Sequence, residues 1–141
     1  EVSVIRDKLN IHGGIDATDE EKLMIPKGVE VYEIEGPYFF GVANKFEEQT
    51  IILGNPPKVR IIRMRMVPFI DSTGIHNFTN FCKNSQKDNI NIILSDVNPD
   101  VNRTLERSGF FDIVSRDNIC SNIVNAIKRA EELLAELEQN K

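Results

Sequence analysis

The stretch VPFIDSTGIHNFTNF, Val67 to Phe81, carries an apolar run into four small polar residues, Asp71, Ser72, Thr73 and Gly74, and then turns amphipathic. In a parallel α/β protein such a junction is where a strand delivers the chain to the mouth of the sheet and a helix begins. Four readings are open: a catalytic elbow, a phosphate cradle, a regulatory phosphorylation site and a plain helix cap. As a cap, Asp71 or Ser72 satisfies the first helical amides and Gly74 allows tight packing. As a functional site, exposed Ser72 or Thr73 at a helix N-terminus favours an anion or an added phosphate. A hydrolase elbow asks for G-x-S-x-G and a partner histidine. Here position 70 is Ile, His12 lies in the N-terminal segment, and His76 falls on the solvent side of the helix.

Outward from the quartet, KVRIIRMRMV reads as the strand that feeds it, and Ile75, Phe78, Phe81 and Cys82 recur at the spacing of one helix face. INIILSDV reads as a buried strand. Asn98-Pro99-Asp100 opens a short helix, with Pro99 at an early position and Gly109 just past the end. FFDIV reads as a brief last strand, and Ile119, Ile123, Ile127, Ala130, Leu134 and Leu137 as the stripe of a long terminal helix. Upstream, VEVYEIEG and YFFGVA read as a hairpin, followed by a helix NKFEEQTIIL that Gly54 and Asn55-Pro56-Pro57 stop. Residues 1 to 26 contain Gly13-Gly14 and the acidic DATDEEK, show no sustained period, and read as a linker ahead of a domain spanning 27 to 138. The order β-β-α-β-α-β-α-β-α predicts the α/β class.

One core is expected of 141 residues, without disulfide or metal staples. A net charge of -5 argues against a general nucleic-acid binder, whose phosphate contacts need a basic face. Cys82 and Cys120 lack the close spacing of a zinc or redox motif and read as reduced, half-buried thiols. No metal and no cofactor is expected: the histidines have no nearby ligand set, and Asp16, Asp19, Glu20 and Glu21 lack calcium-loop spacing. Neither GxxxxGK[ST] nor GxGxxG occurs, which leaves only weak nucleotide binding open. Arg60, Arg63 and Arg65 could form a phosphate clamp. The plainer reading has Arg63 and Arg65 pairing with carboxylates such as Asp71 or Asp96. The apolar runs are too short to span a bilayer, and the missing initiator Met suggests a piece of a longer polypeptide.

The segments EVYEIEGPYFFGVANKF, RIIRMRMVPFIDSTGIHNF and LSDVNPDVNRTLERSGF together closely resemble the STAS domain (sulfate transporter and anti-sigma factor antagonist), in the version that ends bacterial SulP-family anion transporters. The resemblance covers about Pro26 to Leu137. It implies a mixed four- to five-stranded sheet with helices packed against it. It also implies a non-enzymatic regulatory module on the cytoplasmic side of the membrane, with residues 1 to 26 as the tether. The implied partners are the transmembrane domain of the parent transporter, a cytosolic regulatory protein and a second copy of the domain. The serine that kinases phosphorylate in stand-alone antagonists falls on Thr73, with Asp71 as the acid of the motif. The alternative is such an antagonist, switched by phosphorylation at that threonine.

Overall fold

The computed structural model describes residues 2–5, 8–10, 22–35 and 56–140. In chain order the elements are β1 (Val2–Ile5), β2 (Lys8–Asn10), β3 (Lys22–Met24), β4 (Val29–Glu35), β5 (Val59–Met66), α1 (Ser72–Lys87), β6 (Asn91–Ser95), α2 (Pro99–Arg107), β7 (Ile119–Cys120) and α3 (Ile123–Gln139). Two single-turn 3₁₀ helices, Phe110–Asp112 and Arg116–Asn118, lie between α2 and β7.

The sheet runs β1-β4-β5-β6-β7. Strands β4 to β7 are mutually parallel, and β1 joins the β4 edge antiparallel. β2 and β3 form a separate antiparallel pair. Alternate side chains of a strand point to opposite faces, and here both faces are covered. Tyr32, Ile34, Ile62, Met64, Ile92 and Leu94 pack with Phe78, Phe81 and Cys82 of α1 and with Val101 and Leu105 of α2. Val29, Val31, Val59, Ile61 and Ile93 pack with Ile123, Ala126, Ile127, Ala130 and Leu133 of α3. The double cover explains why β5 is buried over its first six residues, arginines included, and why KVRIIRMRMV does not alternate.

Three expectations change. Order does not begin at Pro26, because Val2 to Ile5 pair with Ile34 to Val31 on the sheet edge. Pairing with β4 gives that segment its ladder, so it needs no apolar period of its own. FFDIV is not a strand. Gly109 takes a left-handed φ of 77°, after which Asp112, Ile113 and Val114 donate to Gly109 and Phe110 carbonyls. Those groups are spent locally, and Phe110 and Val114 bury themselves at helical spacing. The last strand is Ile119–Cys120, so Ile119 belongs to the sheet and the terminal helix starts only after the Asn122 cap, whose side chain accepts from Asn125 N at 2.9 Å. The proposed partner strand YFFGVA and the helix NKFEEQTIIL lie outside the described residues.

Candidate functional site

β5 ends at Met66, and Val67 to Ile70 carry the chain over the carboxyl end of the sheet into α1. Val67 and Ile70 are buried and pin the loop at both ends. Its middle is held from the neighbouring crossover: Asn98 Nδ2 donates to the carbonyls of Val67 (3.0 Å) and Pro68 (3.2 Å). The same side chain caps α2, its Oδ1 accepting from Val101 N at 2.8 Å. One amide therefore locks the two strand-to-helix turns of β5 and β6 together.

Within the quartet the roles divide. Asp71 is the N-cap, with extended backbone and Oδ1 accepting from Gly74 N at 2.7 Å, while its carbonyl takes the first helical bond from Ile75. Gly74 is buried. Ser72 and Thr73 are exposed on the first turn, where unsatisfied amides and the helix dipole present a positive end. The cap reading and the exposed-hydroxyl reading hold at once, on different residues.

The other sequence candidates resolve in several ways. Arg63 is buried against Asp96 (3.5 Å), and Arg65 pairs with Glu33 (2.6 Å); neither reaches out as an anion clamp. Arg60 is buried too, donating to Ser85 Oγ at 2.7 Å with its guanidinium over the rings of Tyr32 and Phe81. Tyr32 in turn donates to Glu30. Burial, then the bond to Glu30, pushes the Tyr32 phenol up. Burial also pushes the Cys82 thiol up, and Cys120 in the same direction. Both cysteines are free. His76 is exposed, its ring meeting the Asn80 amide at 3.2 Å. His12 and the carboxylates of the N-terminal segment lie outside the described residues. Among the described residues no group of His, Cys, Asp and Glu could hold a metal.

Sequence reasoning missed the second role of Asn98, which a cap signal cannot show, and it missed Met66 and Phe69. Those two are 48% and 51% exposed and both precede the quartet, Met66 as the last residue of β5 and Phe69 in the turn. A cleft of about 730 Å³ opens at the opposite end of the sheet, lined by Lys27, Gly28, Lys58, Pro56, Pro57 and Leu134 among others. It is wide and mixed in character, with the carboxylates Glu30 and Glu138 also in its lining.

A family model for the STAS domain matches residues 22–126. A sulfate transporter family protein from Wolinella succinogenes superposes with a TM-score of 0.72 at 36% identity, covering 84% of this chain and 96% of that one. The STAS domain of a SulP transporter from Vibrio cholerae superposes with a TM-score of 0.71 at 30% identity, over 82% of this chain and 88% of that one. Sulfate transporter 1.2 of Arabidopsis thaliana is 29% identical over 120 residues, 77% of this chain and only 18% of the transporter's length. The chain thus spans under a fifth of that curated relative. A four-strand parallel core with an antiparallel edge, the capped helix after β5 and matches of this extent agree, and the chain belongs to the STAS domain family.

Proposed function

We propose that this domain is the cytoplasmic regulatory module of a SulP-type anion transporter and that it works as a docking surface, without catalysis of its own. The observation that carries the reading is its likeness, at 30% identity, to the STAS domain of a SulP transporter over 88% of that domain. Ser72 and Thr73 stand exposed on the first turn, and neither hydroxyl is hydrogen-bonded to Asp71, which caps Gly74, or to His76, which meets Asn80. No described helix is long and apolar enough to cross a membrane, so a membrane location would come from polypeptide outside these elements.

Thr73 is the switch in this reading. A phosphate there adds about -1.5 to -2 charges at the positive end of α1, where the dipole favours an anion by about 0.3 to 1 kcal/mol. Asp71, two residues away, opposes it. The terms offset one another for folding, while the surface shown to a partner changes sharply. The test is a paired measurement on the parent protein and on Thr73→Glu and Thr73→Ala variants, of denaturant midpoint and of affinity for the membrane domain. Thr73→Glu should hold the midpoint and weaken binding about tenfold, equivalent to about 1.4 kcal/mol; Thr73→Ala should bind as the parent does. Unchanged affinity in Thr73→Glu reduces the quartet to a helix cap. An initiator Met close to Glu1 with no spans upstream would instead favour a free-standing antagonist.

A further inference from the structure

We infer that the carboxyl end of the sheet is the face that docks against the membrane-embedded part of the same polypeptide, with Met66 and Phe69 as its apolar contacts. The inference rests on the transporter reading and adds to it the direction in which the domain hangs.

The direction follows from β1. It runs antiparallel to β4, with Val2 opposite Ile34 and Ile5 opposite Val31, so the backbone that leads into Val2 meets the sheet at its carboxyl end. The next residue of β4, Glu35, is paired with Met66 at the end of β5. Neighbouring strands lie about 4.8 Å apart, which puts the entry point about 10 Å from the last residues of β5, two strands across. Whatever precedes Val2 therefore arrives beside the turn that bears the quartet.

The surface there suits a protein partner. Among the described residues the exposed large hydrophobics are Met24, Met66, Phe69 and Leu137, and two of these four belong to this one junction, Met66 as the last residue of β5 and Phe69 within the turn. Phe69 does not hang on a loose loop: its neighbours Val67 and Ile70 are buried, and Asn98 holds the carbonyls of Val67 and Pro68. A rigid, outward aromatic next to two exposed hydroxyls is an anchor with a polar rim. Charge agrees. The chain carries a net -5, and the cytoplasmic loops of membrane proteins are enriched in Lys and Arg. The arginines at this end, Arg63 and Arg65, face Asp96 and Glu33 and are thereby screened from a basic partner.

The experiment places a benzophenone side chain at position 69, and separately at position 87, in the full-length protein in its own membrane. Lys87 is exposed at the far end of α1, by the amino end of the sheet. After illumination the linked peptides are identified by mass spectrometry. Links from position 69 into the membrane-embedded segments, at least tenfold more abundant than from position 87, are the expected result. Links to those segments from position 87 instead, links from position 69 only to a second copy of the domain or to a soluble protein, or no link from position 69, would each overturn the inference. An open reading frame with no hydrophobic spans before Glu1 overturns the transporter reading itself, and that is known before any light is applied.

Discussion

Asp71 holds the first turn of α1 through one bond to Gly74 N, and that bond is separable from whatever Thr73 does. Asp71→Ala should lower stability by about 1 kcal/mol, the usual worth of a cap, with Asp71→Asn close to the parent in a urea titration. Two buried acids set the alkaline limit. The folded protein holds the protons of Cys82 and Tyr32 to higher pH than the unfolded chain does, because burial disfavours both charged forms. Their contribution is whole below the unfolded values, about 8.5 for a thiol and about 10 for a phenol, and drains as pH rises past them toward the higher folded values. The urea midpoint should therefore fall between about pH 8.5 and pH 11, and Cys82→Ala should shrink the earlier part of that fall to the share left by Cys120. A flat midpoint across the window would contradict the assigned burial.

β5 is the middle strand of the sheet, and over its first six residues its arginines are buried along with its apolar side chains. Arg60 links the strand to the end of α1 through Ser85, and it neighbours Glu30 across the β4 ladder. Deleting it leaves that buried carboxylate without the adjoining positive charge. Arg60→Ala should cost about 3 kcal/mol or more, with Arg60→Lys in between because it keeps the charge but loses the planar fork. Chevron or equilibrium denaturation decides; a cost below 1 kcal/mol would mean that the guanidinium is dispensable. The same strand shows what could be read beforehand. KVRIIRMRMV announced a strand, Ile75 to Cys82 a helix face, and Asn98-Pro99 a helix start, because each rests on local period or cap chemistry. The segments that misled were those whose partners lie far off in sequence. Val2 to Ile5 owe their order to β4, nearly thirty residues on, and FFDIV looked like a strand because β-branched and aromatic residues crowd it. Its conformation was decided by Gly109, which turns the chain so that the following amides bond locally. At the quartet the cap was legible. The exposure of Phe69 was not, since an apolar residue in an apolar run announces burial.

For the molecule as a whole, the edges of the sheet matter most. β7 is only two residues long, and β1 covers the longer β4 on the other side. The family match begins at residue 22 and so omits that cover. Removing residues 1 to 7 should bare the β4 ladder, costing a few kcal/mol at about 1 kcal/mol per lost hydrogen bond and promoting self-association through the open edge. Light scattering and a urea titration of the shortened chain report both; a monodisperse chain of parental stability would show β1 to be ornamental. The orientation of β1 also fixes how the fold bears load. A pull on the chain ahead of Val2, directed along the strand axis, tries to slide β1 past β4, so its ladder bonds share the tension at once instead of opening one after another from an end. Four residues in shear make a stiffer handle than four residues peeled. Such a handle would pass small displacements into the sheet rather than absorb them in its own attachment.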